Sequence, residues 1–357
     1  MAILSDNEDL RSVNKDSLQK KNPIIKPENI EYDNTFENNI RPKDFESYIG
    51  QTALKETLKI TLEAAKLREK PLDHMLFYGP PGLGKTTIAG VIASQMGVDI
   101  RITSAPALER PRDIIGILMS LKGSEILFID EIHRLNKVAE EILYPAMEDF
   151  TLDMTTGKSQ TAKTLRVPLP KFTLIGATTK AGELSSPLRD RFGMIHRLEF
   201  YTIDELSQVV KRTAKILDIC VSDDGAKAIA KRSRGTPRIA NRLVKRVSDF
   251  AIVKYDGKID EKVANESLDI LKIDEFGLDN TDRALLSLII EKYDGGPVGI
   301  ETIAAALSED VRTIEDVCEP YLLQAGLLQR TPRGRKVSPE GYRHLGLKSP
   351  SEQTRLF

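Results

Sequence analysis

The stretch Gly79 to Thr87, GPPGLGKTT, constrains this chain more than any other. It fits the pattern G-x-x-x-x-G-K-[ST] at Gly79, Gly84, Lys85 and Thr86, with Gly82 inside it. The apolar run His74–Tyr78 precedes it and the amphipathic stretch Thr87–Met96 follows. Strand, glycine loop, helix is the setting in which that pattern acquires meaning. The glycines let the backbone wrap phosphates with several N–H groups pointing inward, and the helix N-terminus adds partial positive charge. Lys85 is then placed to reach the β and γ phosphates, and the Thr86 hydroxyl to join a magnesium shell. A glycine-rich turn with a stray lysine is the competing interpretation. The order of elements disfavours it and predicts a site for ATP or GTP.

At 357 residues the chain exceeds one ordinary core, so two or three domains are expected. A composition of 40% hydrophobic and 29% charged residues describes a globular protein. The net charge of −1 exerts no global pull on nucleic acid, so any such binding must come from local patches. Cys220 and Cys318 lack metal-ligand spacing and read as buried thiols in a reducing cytosol. With no apolar run of about 18 residues and no leader pattern, a cytoplasmic location without membrane contact is expected. Residues 1–35, rich in Asn, Asp, Lys and Ser without sustained period, read as a flexible arm.

From residue 36 to 201, short apolar runs alternate with helical segments, which predicts a parallel sheet with helices on its faces. The expected strands are Val98–Thr103, Glu125–Ile129, Phe172–Ala177 and Met194–Phe200. The second ends in Asp130-Glu131, an acidic pair that is costly at a buried strand end unless it meets a cation or water. Asp130 is placed to hold magnesium through a water, and Glu131 to orient and deprotonate the attacking water. The run FTLIGATT ends in Thr178 and Thr179, either of which can reach the γ-phosphate or that water from the carboxyl edge of the sheet. The segment SPLRDRFG carries Arg189 and Arg191, and an arginine supplied from outside the pocket can stabilise phosphoryl transfer. A salt-bridged surface segment is the alternative there.

Between Phe150 and Phe172 apolar residues alternate at Leu152 and Met154, then at Leu165, Val167 and Leu169, around a polar turn with Gly157. This predicts a β-hairpin, either a packed edge or a protruding interaction face. From 202 to 273 the pattern is helical. Thr202 and Glu205 form a capping box, further helices follow Ser222 and Pro237, and a fourth covers Glu261–Leu271. The last unit, 274–357, begins with a helix capped by Thr281. A helix pair, Ile300–Leu307 and Arg312–Ala325, follows, with an interruption expected at Pro320. Strands Leu327–Gln329 and Lys336–Val337 flank Arg330, Arg333 and Arg335, which fits a winged helix gripping a nucleic-acid backbone. A solvated basic turn is the alternative. Glu315, Asp316 and Glu319 make the presumed recognition helix a poor major-groove reader.

Taken together, Arg41-Pro42, Tyr48–Gln51, GPPGLGKTT, LFIDEIHRL, LIGATT, SPLRDRFG, RGTPRIANRL and RTPRGR resemble the AAA+ ATPases, and within them the RuvB-like motors of Holliday junction branch migration. The likeness runs from about Ile40 to Gly346. It implies an α/β AAA+ P-loop domain with a parallel sheet, a small all-helical lid and a C-terminal winged-helix domain. By this resemblance Ile40, Arg41 and Tyr201 line the pocket near base and ribose, Thr87 joins the phosphate contacts, and Glu148, Asp149 and Phe150 lie close to the nucleotide. Arg191 is implied as the finger reaching the next subunit's ATP, with Arg189 second, and Arg238 as the sensor that reports the γ-phosphate to the lid. Thr179 is taken with Lys85, Asp130, Glu131 and Arg191 as the catalytic set, with Thr178 still open as the sensing threonine. The family's hairpin, 151–170 here, docks RuvA; RuvC is a further implied partner, and a hexameric ring on double-stranded DNA is the implied assembly. ATP and Mg2+ are the implied cofactors, and Arg312 a further DNA contact of open register.

The function this points to is an ATP-driven translocase that moves duplex DNA out of a four-way junction. A clamp-loader-like assembly ATPase shares the nucleotide machinery, but the tail from Asp282 argues against it. A DNA-binding regulator using ATP only as an assembly switch is disfavoured by intact Glu131 and Arg191.

Overall fold

The computed structural model describes residues 39–156 and 163–348. The expected arm, 1–35, the hairpin tip, 157–162, and residues beyond 348 lie outside them. The chain divides into two units, Met1–Arg41 and Pro42–Phe357. Within the first, Ile40 is buried and Arg41 half-buried.

In the second unit, helix α1 (Thr52–Arg68) leads to β1 (Met75–Tyr78), α2 (Lys85–Met96) and β2 (Ile100–Ser104). Then follow α3 (Pro111–Ser120), β3 (Ile126–Asp130), α4 (Lys137–Glu148), the hairpin β4 (Thr151–Thr156) and β5 (Lys163–Pro168), β6 (Thr173–Thr178), α5 (Ser186–Arg189) and β7 (Met194–Arg197). Five strands pair in parallel in the order β2-β3-β6-β1-β7. The inner strands β3, β6 and β1 are largely apolar because helices cover both faces, whereas the edge strands β2 and β7 carry Arg101, Thr103, His196 and Arg197. Successive residues alternate between two cores: Met75, Phe77, Ile126 and Phe128 face one, and Leu76, Leu127 and Ile129 the other. Gly176 sits mid-strand because a Cβ there would meet Ile132, Phe192 and Leu76 at 3.1–3.2 Å. Strand β7 ends at Arg197, short of the expected Phe200, because the chain leaves the sheet to enter the lid.

The lid comprises α6 (Ile203–Ile216), α7 (Asp223–Lys231), α8 (Pro237–Lys254) and α9 (Glu261–Ile270), with the short pair β8 (Cys220–Val221) and β9 (Lys258–Ile259). Cys220 is exposed on this two-residue strand, against the expectation of a buried thiol, whereas Cys318 is buried. The Thr202–Glu205 capping box forms, and Ser222 caps α7 through its side chain. Leu206, Val210, Ile229 and Val244 belong to the same apolar cluster as Phe77 and Phe128, so lid and sheet share one core. Displacing the lid therefore disturbs packing beneath the glycine loop.

The head contains α10 (Asn280–Tyr293), α11 (Ile300–Leu307), α12 (Val311–Thr313), a π-helical stretch Ile314–Cys318, α13 (Glu319–Gln324), and the wing β10 (Leu328–Thr331) and β11 (Gly334–Val337). Thr281 is not the cap of α10. Asp279 is, its Oδ1 accepting from the N–H groups of Thr281 and Asp282 at 2.9 and 3.1 Å. A carboxylate two residues earlier outcompetes the hydroxyl. Pro320 sits in the first turn of α13, and the interruption falls just before it, as the π stretch. The missing N–H of Pro320 is thereby moved to a helix start, where it costs least.

The hairpin pairs Thr151–Thr156 antiparallel with Lys163–Pro168. Its base is a packed edge: Leu152 and Leu169 are buried and Val167 packs on the same core. Among the described side chains, only Leu165 keeps the expected exposed apolar character, at 55%.

Candidate active site

Strand β1 ends at Tyr78, and the chain turns through Gly79, Gly82 and Gly84 at φ 141°, 81° and 99°, with α2 beginning directly after Gly84. A Cβ at Gly84 would meet the Tyr48 hydroxyl at 3.2 Å, so both the positive φ and the close approach require glycine. No side chain caps α2. Its first N–H groups are left to whatever anion the loop holds. The buried Lys85 ammonium donates to the carbonyls of Gly79 (2.8 Å) and Pro80 (3.1 Å). Burial pulls its pKa down, while Glu131 and Asp130 act in the opposite direction. Exchanging neutral carbonyls for phosphate oxygens strengthens those bonds. Thr86 and Thr87 follow on α2, both half-buried.

Asp130 closes β3, and its Oδ1 accepts the Glu131 N–H at 3.0 Å. Burial raises the Asp130 pKa, with Lys85 and Arg238 opposing. A cation beside it relieves that burial cost. Among the described residues no three His, Cys, Asp or Glu side chains cluster to hold a metal unaided. That suits magnesium, which takes one or two carboxylates with phosphates and waters. Glu131 stands in the left-handed region (φ 48°), a strain of about 1–3 kcal/mol for a residue other than glycine. Its Oε2 accepts from the Thr179 hydroxyl at 3.1 Å. His133 Nδ1 lies 3.3 Å from the same carboxylate and 2.9 Å from the Thr178 hydroxyl. Burial lowers the His133 pKa, so the ring is largely neutral at neutral pH. The two threonines are thus separated in role: Thr179 faces Glu131, whereas Thr178 is buried against His133. His133 and Tyr48 carry no sequence signal of their own beyond membership of the DEIH and Tyr48–Gln51 motifs. Only the tight spacing of DEIH hinted that a third group faces the base.

From the lid side, the Arg238 N–H approaches the Gly82 carbonyl at 3.4 Å. The Tyr201 hydroxyl reaches Tyr48 and the Leu83 carbonyl, both at 3.4 Å. A cavity of about 240 Å³ opens beside Gly82, Arg238 and Arg242, and the head contributes Asp316, Val317 and Tyr321 to its wall.

Arg191, Glu148, Asp149 and Phe150 lie elsewhere. The Phe150 ring packs near His74 and Phe172, at 6.2 and 5.9 Å between centroids. Those residues immediately precede β1 and β6. Arg191 comes three residues before Met194, whose N–H bonds His74 O as β7 begins. This is the amino edge of a parallel sheet whose carboxyl edge carries the glycine loop, about 13 Å away across a four-residue strand. Glu148, Asp149 and Phe150, which the resemblance places close to a nucleotide, therefore sit with Arg191 away from the chain's own glycine loop. Arg191 donates to the Pro187 carbonyl at 2.7 Å, pairs with Glu148 at 3.1 Å and lies over the Tyr144 ring at 4.3 Å. Arg189 is exposed.

The sequence profile of the Holliday junction DNA helicase RuvB P-loop domain matches residues 40–198. Those of the RuvB AAA lid domain and the RuvB C-terminal winged helix domain match 201–274 and 275–346. The chain belongs to the RuvB family. It is 58% identical over 338 residues, 94% of this chain and 92% of the relative, to a Holliday junction branch migration complex subunit RuvB of Nostoc sp.. A protein of the same name from Rippkaea orientalis is 61% identical over 323 residues, 90% of this chain and 89% of the relative. Thermotoga maritima RuvB, a Holliday junction branch migration motor, is similar in structure at TM-score 0.80 and 50% identity, covering 87% of this chain and all of that one.

In this RuvB-family chain the wing arginines divide. Arg333 is exposed at the turn between β10 and β11, and Arg312 is exposed on α12. Arg330, 58% exposed, has only long approaches, 3.7 Å to Glu315 and 4.0 Å to Glu319. Arg335 departs from the expected outward set: its guanidinium meets the buried Glu319 through two bonds of 3.1 and 3.0 Å. A buried carboxylate needs that pairing, which holds Arg335 inside the domain.

Proposed function

We propose that this chain is the ATP-hydrolysing motor of Holliday junction branch migration, acting as a ring that moves double-stranded DNA. One observation carries the reading: Lys85, Asp130 and Glu131 gather at one edge of the sheet and Arg191 at the opposite edge. An arginine so placed cannot serve its own loop, so hydrolysis waits on a neighbouring copy.

Lys85 and the first amides of α2 hold the phosphates, and Glu131, oriented by Thr179, takes the proton of the attacking water. Thr86 and Asp130 would hold magnesium, which would supply neutralisation of phosphate charge when bound. Arg191 of one copy stabilises the charge that develops at the site of the next, and Arg238 carries the change to the lid. Arg330, Arg333 and Arg312 take the DNA backbone without reading sequence. The ring is a hexamer in the cytoplasm, RuvA docks on the hairpin 151–170 around Leu165, and RuvC joins the junction complex. Branch migration of a synthetic four-way junction with ATP and Mg2+, with and without RuvA, tests this. Hydrolysis with no strand exchange under either condition would refute it.

A further inference from the structure

Lys180, directly after the two threonines, reaches across to the head. Its Nζ lies 3.3 Å from Glu315 Oε2 and 3.3 Å from Asp316 Oδ1, both in the π stretch. Glu183, three residues on, is a third and longer partner at 3.6 Å. The other oxygen of Glu315 faces Arg330 at 3.7 Å. On the catalytic side the Lys180 N–H donates to the Thr178 hydroxyl at 3.0 Å, and the neighbouring Thr179 holds Glu131. The contacts thus run without a gap from a wing arginine to the catalytic base. The π stretch also places Asp316 and Val317 on the wall of the cavity that Gly82 and Arg238 line. An inserted residue of this kind re-aims side chains relative to a regular helix.

We propose that Lys180 is a positioning residue through which duplex DNA on the wing sets the catalytic base, by way of Glu315 and Asp316. This rests on the ATPase and wing assignments above. Glu315 is shared by two cations. A DNA phosphate that engages Arg330 leaves Glu315 to Lys180 alone, which tightens the pair and steadies the backbone holding Thr178 and Thr179. By linkage, a tightened Lys180 contact also frees Arg330 for DNA. Both charges are about a quarter to a third exposed, so the coupling is modest.

The test is a double-mutant cycle in the full chain: Lys180→Ala, Glu315→Gln with Asp316→Asn, and all three together. ATPase is measured against ATP concentration with and without a linear duplex, and duplex affinity is measured separately. At saturating duplex Lys180→Ala lowers the stimulated rate about fivefold, while basal rate and KM for ATP stay within about twofold and duplex affinity falls by no more than about twofold, the direction that linkage requires. The carboxamide pair lowers the ratio of stimulated to basal rate by the same factor, the readout used for it because Asp316 lines the cavity beside Gly82, and the combined variant is no worse than either. Additive losses, unchanged stimulation, or a loss explained by weaker duplex binding overturns the proposal. If Lys180→Ala does not fold, the carboxamide pair decides by the same criteria. A wild-type ATPase indifferent to duplex would remove the DNA-motor reading itself, and the strut with it.

Discussion

The Thr179 hydroxyl donates to Glu131 Oε2 at 3.1 Å, and the Thr179 N–H faces the same oxygen at 3.4 Å. Glu131 owes its direction to this pair and to its own left-handed backbone. Thr179→Val keeps the shape and deletes the donor. Turnover is expected to fall about tenfold to a hundredfold, since small misplacements of a catalytic group have such effects. ATP affinity is unchanged because no phosphate ligand is touched. Steady-state kinetics beside calorimetric nucleotide binding checks both halves, and turnover within twofold of wild type refutes the assignment.

Arg191 and the glycine loop occupy opposite edges of one sheet, so complementation between subunits is expected. Arg191→Ala and Glu131→Gln each lower ATP hydrolysis by on the order of a thousandfold. Mixed in one ring, they restore a fraction of wild-type activity at interfaces that pair an intact Glu131 with an intact Arg191. No rescue in rings shown to be mixed, or full activity from a monomer, contradicts the placement.

Much of this arrangement was legible in the sequence because the functional groups sit at strand ends. Asp130 follows Ile129 and Thr178 follows Ala177, and in a parallel sheet those positions share one edge whatever the helices do. Glu148, Asp149 and Phe150 end α4, a helix that runs back to the amino edge, and resemblance does not say which copy's nucleotide they approach. Arg335 is grouped by the wing pattern with Arg330 and Arg333 as a backbone contact. Its inward turn depends on Glu319, sixteen residues earlier, and no periodicity links them. Lys180 gave no local signal, since its partners lie 135 residues away.

The wing gives a clean separation between packing and binding. Arg335→Ala strands the buried Glu319 carboxylate and is expected to destabilise the head by about 3–5 kcal/mol. Arg333→Ala touches no internal partner among the described residues. It should leave the melting temperature unchanged, weaken duplex binding and reduce its salt slope by about one. Thermal melts with fluorescence anisotropy across a salt series distinguish the two. An Arg335→Ala chain as stable as wild type but defective only in DNA binding would return Arg335 to the contact surface.

The junction of lid and head carries a pH dependence. Asp282 is 1% exposed, and burial pushes its carboxyl up to about 6, although the Arg234 guanidinium at 2.6 Å resists. Between its ordinary value of 3.8 and about 6 the folded chain holds a proton that the unfolded chain has released. Stability from this group is therefore complete below the lower value and is lost as pH rises through about 6. Going from pH 7 to 5 should gain about 1 kcal/mol from Asp282. In Asp282→Asn that gain disappears while Arg234 keeps Asp279 at 2.9 Å, so the variant differs from wild type in the slope with pH. Melting temperatures of both chains at pH 5, 6 and 7 decide it. Parallel slopes would mean that Asp282 stays ionised throughout, with Arg234 outweighing burial.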